Sequence, residues 1–328
     1  MEEVVIIGAG PCGLSAALEL QKIGIEPLII EKESVVHSIY LYPTNLQFFS
    51  TPELLEIGGY PFSTPNEKPT RLEALTYYRN VANRSNLRIR PYHKVTAIHT
   101  QQDGSYALTV EDRFQNTSTV LTKYVVVATG YFDYPNMLGI PGEQLPKVTH
   151  YFREAHPYTG TKVAVIGGSN SAIDAAMELL RVGAEVTVVY RGETYSPIIK
   201  PWVRPIFESM VNKGRIQMLF RSCVTHISET TITVVKDGAE QQIDNDFVLA
   251  LTGFHPDRSM LREVGVAFKD DNEIPVFNPD TMETSSPGIY IAGVIASGKN
   301  ANEVFIETGR MHGCLIAKDI ANKMHRMQ

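Results

Sequence analysis

Cysteine is scarce in this chain. Cys12, Cys223 and Cys314 are its three, too few and too scattered for a disulfide scaffold or a zinc site. Any redox chemistry must therefore use one cysteine of its own or none. Long apolar runs are missing as well, and no uninterrupted stretch approaches the roughly 20 residues of a membrane-spanning helix. The opening Met1-Glu2-Glu3 is acidic and leads straight into an apolar strand, whereas a secretion signal begins with a basic segment. A cytoplasmic location is the expectation. Basic residues form no run, and Lys+Arg 30 against Asp+Glu 36 leaves a net charge of -6. A nucleic-acid groove needs a concentrated positive stripe, so that class is set aside.

What is present is a globular composition, 43% hydrophobic and 20% charged over 328 residues, enough for about two domains. Val4-Val5-Ile6-Ile7 is a continuous apolar run that reads as a strand buried on both faces. Residues 12–23 follow with helical spacing, Gly24 closes the helix, and residues 26–31 read as a second strand. The same grammar returns later: a strand at 162–166, a helix at 170–182 stopped by Gly183, and a strand at 185–190. Two βαβ units of one kind imply an α/β fold with two Rossmann-like dinucleotide-binding domains. Between them, residues 105–110, 118–121 and 123–128 read as three strands, and residues 216–251 show short alternating strands. One long amphipathic helix is expected in the last 28 residues, from Ala301. The simplest partition is a discontinuous first domain, residues 1–152 and 253–328, with a second inserted at 153–252.

The turn after each first strand is rich in glycine. Gly8-Ala9-Gly10-Pro11-Cys12-Gly13 fits G-x-G-x-x-G between a strand and a helix. In that motif the first glycine permits the tight turn, the second lets the backbone approach a pyrophosphate, and the third allows close helix–strand packing. The helix N-terminus adds unpaired N–H groups and positive potential for phosphate. Glu31, 21 residues beyond Gly10, stands where a carboxylate accepts the ribose hydroxyls of an adenosine. The second turn is Gly167-Gly168-Ser169-Asn170-Ser171-Ala172, with Ser169 in place of the middle glycine. Tyr190-Arg191 ends the next strand, so Arg191 is the counterpart of Glu31. A guanidinium there favours a 2′-phosphate, hence NADPH; a solvated charge at a strand end is the alternative. Opposite ribose preferences have one economical reading: the first cradle holds FAD, the second NADPH, and hydride passes between them after a domain rotation.

Ala128-Thr129-Gly130, Thr252-Gly253 and Gly288-Ile289-Tyr290-Ile291-Ala292-Gly293 complete a pattern that resembles the flavoprotein reductases built like low-molecular-weight thioredoxin reductase, over essentially the whole chain. Further motifs are similar to the bacillithiol disulfide reductases of the YpdA type. They are the first cradle, Ile39-Tyr40-Leu41-Tyr42-Pro43-Thr44, Tyr190-Arg191-Gly192, Lys200-Pro201-Trp202, and Phe305-Ile306-Glu307 through His312-Gly313. That resemblance implies an FAD-containing, NADPH-dependent cytosolic enzyme, a homodimer or larger, acting on bacillithiol disulfide. It also places Lys32, Thr44, Phe48, Val95, Gly293, Val294 and Phe305 among the cofactor-binding residues. Three departures from the wider pattern matter. The stretch where thioredoxin reductases carry C-x-x-C reads His150-Tyr151-Phe152-Arg153, so the dithiol relay is excluded. The acid of Ala-Gly-Asp, which binds the flavin ribityl chain, is Val294, and backbone N–H groups are the expected substitute. The monooxygenase linker F-x-G-x-x-x-H is broken at Leu145 and Lys147.

Cys12 is the candidate catalytic residue. A thiol in the first turn of a helix is expected to have a lowered pKa, and Cys12 would attack the disulfide or be bonded to it transiently. The competing readings are a buried inert thiol and direct hydride transfer from flavin to the disulfide. His312 is a candidate proton donor to a leaving thiolate, Ser50 a candidate flavin partner, and the rings at 40–62 a candidate flavin wall. Two other functions stay open: electron transfer to ferredoxin or flavodoxin, and NADPH sensing without dedicated turnover.

Overall fold

The apolar run that opens the chain becomes β1 (Glu2–Ile7), with its last four side chains buried. In the computed structural model, which describes residues 1–269, 272–299 and 301–327, the chain divides into two units. The first comprises Met1–Tyr40, Leu46–Tyr134 and Phe254–Gln328. Its main sheet contains β1, β2 (Leu28–Ile30), β3 (Arg88–Arg90), β4 (His93–Thr100), β5 (Tyr106–Asp112) and β6 (Thr117–Val127), in the order β3-β2-β1-β6-β5-β4. β1 is parallel to both β2 and β6. The helix Pro11–Lys22 packs on the last helix, His312–Met327. Gly313 permits that approach, because a Cβ there would lie 2.8 Å from Ala16 Cα.

β6 corrects one expectation. Residues 117–127 form one strand of 11 residues, not two. Its first half pairs antiparallel with β5, and its second half pairs parallel with the strand Ile289–Ile291. Side chains alternate in and out along the first half and are continuously buried in the second. The change of pattern that reads as a break is a change of neighbours. The expected C-terminal helix is present as His312–Met327. A 3-10 turn (Ala301–Glu303) and a short helix (Ile306–Gly309) precede the long helix, which starts at His312.

The second unit comprises Leu41–Asn45 and Pro135–Gly253. Five parallel strands run in the order β10-β9-β8-β14-β7: β7 (Val148–Thr149), β8 (Lys162–Ile166), β9 (Glu185–Val189), β10 (Ile216–Leu219) and β14 (Phe247–Ala250). Ala172, Ile173, Ala176 and Leu179 of the helix Asn170–Arg181 pack with Val163, Val165 and Val186 in one core. A second core joins Ala164, Ile166 and Val248 to an antiparallel sheet of β11 (Ser222–Ile227), β12 (Thr231–Lys236) and β13 (Ala239–Asp244). By its contacts this unit takes in residues from Pro135 onward. β7 pairs with β14, Asn136 N–H donates to Gly253 O (2.9 Å), and the Asn136 amide donates to Thr252 O (3.2 Å). Those bonds join Val148–Thr149 to the second sheet and Asn136 to the loop that follows β14. Among the described residues, no helix is long and apolar enough to cross a membrane.

Candidate active site

The first cradle is built around two glycines that the protein itself requires. Gly8 has φ +108, and a Cβ on it would fall 2.5 Å from Ala128 O. A Cβ on Gly13 would fall 2.1 Å from Gly8 O and 3.3 Å from the Ala128 side chain. Gly10 is different. Its φ is an ordinary −73, and no atom lies within 4 Å of where its Cβ would be. Packing within the chain does not require a glycine here, and the space over its backbone is open. Gly10 is the N-cap of the helix Pro11–Lys22, with no side-chain cap and Pro11 at the start. The N–H groups of its first turn are therefore left without a side-chain cap.

Glu31 closes the first cradle. It is buried at 7% exposure, and its two carboxylate oxygens accept the N–H groups of Ala9 (2.7 Å) and Glu33 (2.9 Å). Burial pushes its pKa up, against the lowering effect of those two donors. Each oxygen keeps a further lone pair for a hydroxyl donor. Lys32 next to it is held by Asp133 at 2.7 Å. Val95 is buried in β4 opposite Val110.

The second cradle repeats this geometry. Gly167 has φ +142, and a Cβ there would fall 2.5 Å from Leu251 O, as that of Gly8 meets Ala128 O. Gly130 and Gly253, which follow those two carbonyl-bearing residues, both have positive φ, +71 and +89. Ser169 is the N-cap of the helix Asn170–Arg181, again without a side-chain cap. The Asn170 side chain donates to Ile198 O (3.0 Å) and accepts from Lys200 N–H (2.9 Å), so it anchors the 198–200 loop. Ser171 is exposed and Ala172 fully buried. The Tyr190 ring lies between Gly168 and Gly192, whose Cβ atoms would come within 2.3 Å and 2.4 Å of it. Arg191 is exposed.

Around Cys12 the expectation of a lowered pKa is overturned. The thiol is wedged against Gly293 and Gly309, where Cβ atoms would lie 2.9 Å and 2.7 Å from Sγ. Burial, reinforced by the Glu307 carboxylate, pushes its pKa up to about 12. Removal of water outweighs the helix end. Glu307 is the residue that sequence reasoning missed. It lay within the quoted Phe305-Ile306-Glu307 motif without a role, and it accepts a hydrogen bond from the Ser50 hydroxyl. Ser50 is therefore engaged by the protein. His312 Nδ1 accepts the Gly293 N–H (3.1 Å), which puts the neutral ring's proton on Nε2. Burial lowers its pKa, so the ring is neutral at pH 7. The Gly293 N–H is thus engaged within the protein by His312. Val294 is buried at 9% exposure.

The remaining candidates are dispersed. Thr44 groups with the second unit, its N–H donating to Arg153 O (2.8 Å). Phe48 N–H donates to Pro69 O (2.8 Å) in the first. Phe305 is 53% exposed at the start of the short helix before His312. The three cysteines are unpaired with one another.

Two βαβ units, each with an uncapped helix end after its glycine turn, and no cysteine pair among the described residues are the features of a protein with two dinucleotide-binding-type domains. Residues 5–293 match the model of the pyridine nucleotide-disulphide oxidoreductase family, and the chain belongs to that family. Its fold is the two-dinucleotide-domain α/β fold of the thioredoxin reductase type. Within the family it groups with the Bdr-type flavoprotein disulfide reductases. It is 50% identical over 324 residues, 98% of each chain, to bacilliredoxin reductase Bdr of Bacillus subtilis (strain 168). The solved structure of bacillithiol disulfide reductase Bdr (YpdA) from Bacillus cereus shares 50% identity, with TM-score 0.96 over 98% of this chain and 99% of its own. The corresponding structure from Staphylococcus aureus shares 45% identity, with TM-score 0.93 over 98% of each.

Proposed function

We propose that this chain is an NADPH-dependent, FAD-containing reductase of bacillithiol disulfide. The observation that carries the reading is the pair of matching cradles with opposite charges at Glu31 and Arg191, in a chain half identical to a protein named for that activity. The open space over Gly10, the uncapped helix end and Glu31 fit the pyrophosphate and ribose of FAD. Gly167, Ser169 and Arg191 fit those of NADPH. When bound, the two cofactors supply a hydride path from nicotinamide to flavin. The chain's own residues orient the two nucleotides, and Cys12 presents a sulfur beside Gly293 and Gly309.

In the protein by itself, burial and the Glu307 carboxylate hold the Cys12 proton on, with the pKa pushed up to about 12. Only the thiolate attacks a disulfide, so Cys12 first gives up its proton and the departing sulfur takes one up: Cys12–S⁻ + RS–SR + H⁺ → Cys12–S–SR + RSH. A hydride equivalent and one further proton then release the second RSH and restore the thiol. The sum is RS–SR + NADPH + H⁺ → 2 RSH + NADP⁺. The test is NADPH consumption by the purified yellow protein with bacillithiol disulfide, glutathione disulfide, ferredoxin or oxygen, for wild type and Cys12→Ala. Turnover is expected with bacillithiol disulfide in the wild type and is lost in the variant. A fully active variant would remove Cys12 from the path. Equal slow oxidation with every acceptor would remove the dedicated disulfide.

A further inference from the structure

We propose that Arg221 is a second recognition residue for the 2′-phosphate of NADPH, acting beside Arg191 from the neighbouring strand. This rests on the NADPH reading above and adds a residue that lies outside the β9 turn, where the strand-end guanidinium is found.

β9 and β10 are parallel neighbours, and the ladder continues beyond their ends. Tyr190 N–H donates to Leu219 O (2.9 Å), Arg221 N–H to Gly192 O (2.9 Å) and Ser222 N–H to Tyr190 O (3.1 Å). The chain leaving β10 is thus bonded to residues 190 and 192, on either side of Arg191. Arg221 sits there at φ 52, a left-handed conformation that L residues rarely adopt. The turn is pinned from its other side by Ser222 Oγ donating to Phe220 O (2.8 Å). A strained, doubly tethered arginine next to the nucleotide-end turn is a device for presenting a side chain at a chosen place. Gly192 contributes no side chain to intervene, and the Tyr190 ring fills the space under it.

The side chains are available to an anion. Arg191 is exposed and has no side-chain partner among the described residues. Arg221 reaches Asp237, on the turn between β12 and β13, at 3.3 Å, with both side chains more than half exposed. An ion pair so open to water is weak, and a phosphate dianion offers a guanidinium more acceptors and more charge than a single carboxylate. Asp237 is therefore a holder that yields Arg221 when the 2′-phosphate arrives.

The experiment measures calorimetric affinities of the FAD-loaded protein for 2′,5′-ADP and for ADP, which lacks the 2′-phosphate. Steady-state KM values for NADPH and NADH accompany them. The variants are Arg221→Ala, Arg221→Gly, Asp237→Asn and Arg191→Ala. Arg221→Gly suits the left-handed backbone and guards against misfolding of the alanine form. Both Arg221 variants are expected to weaken 2′,5′-ADP about tenfold and to leave ADP unchanged, and to raise KM for NADPH without lowering kcat. Asp237→Asn is expected to hold 2′,5′-ADP at least as tightly as wild type. Arg221 variants that keep the wild-type ratio of affinities while Arg191→Ala collapses it would overturn the proposal and leave the NADPH reading standing. A wild type that binds both nucleotides equally would overturn both.

Discussion

Asp174→Asn probes how the second unit tolerates a half-buried acid. Asp174 sits in the second turn of the helix Asn170–Arg181, beside Glu178. Burial, and then the neighbouring carboxylate, push its pKa from 3.8 to about 6. An acid whose pKa is raised on folding favours the folded state when protonated. The penalty is small below the unfolded value, grows as the pH climbs through the interval, and is complete above about 6. Two pH units amount to about 3 kcal/mol, and partial contact with water reduces that to ~1–2 kcal/mol. Asparagine removes the ionisation at similar size. The assay is urea unfolding at pH 8, 6 and 4.5, followed by the fluorescence of Trp202, the chain's one tryptophan, which lies in the second unit. The variant should be the more stable protein at pH 8, with the gap narrowing toward pH 4.5. A gap that ignores pH, or a variant less stable at pH 8, would refute the reasoning.

Three further outcomes follow from the first unit. Gly13→Ala should abolish a folded yellow protein because its Cβ meets Gly8 O, while Gly10→Ala should fold and bind flavin more weakly; visible absorbance and thermal melting separate the two. Tyr290→Phe deletes a buried hydroxyl that donates to Asp319 (2.6 Å) and accepts from Lys323 (2.8 Å), and denaturant titration should register a loss of about 1–2 kcal/mol. Glu307→Gln should lower the Cys12 pKa from about 12 but leave it above an ordinary thiol's, since burial is the larger cause. The pH dependence of alkylation reads this, and an unchanged profile would count against it.

The parts of this molecule set by local chemistry were legible beforehand. β8 falls at the residues expected, and the helix after it within one residue of them, because apolar runs, glycine stops and the cradle spacing are local signals. The acid at Glu31 and the base at Arg191 were likewise readable from strand ends. Tertiary neighbours decided the rest. β6 reads as two strands because its halves face different partners. The bond from Asn136 to Gly253 joins residues more than 100 apart and carries no local signal. The Cys12 expectation failed for the same reason. A helix start is visible in sequence, whereas Gly293 and Gly309 closing over the sulfur come from distant positions. Glu307 carried no spacing signal; its role follows only from where the short helix Ile306–Gly309 docks.

The strand Ile289–Ile291 takes its place against Val125–Val127 only after the whole inserted unit has been made. Until then Val125–Val127 of β6 pair on one edge only, with β1, and their other backbone edge has no partner strand. The second unit, whose strands are contiguous apart from one short loop, can finish first. Completion of the first unit's main sheet thus depends on the C-terminal part of the polypeptide.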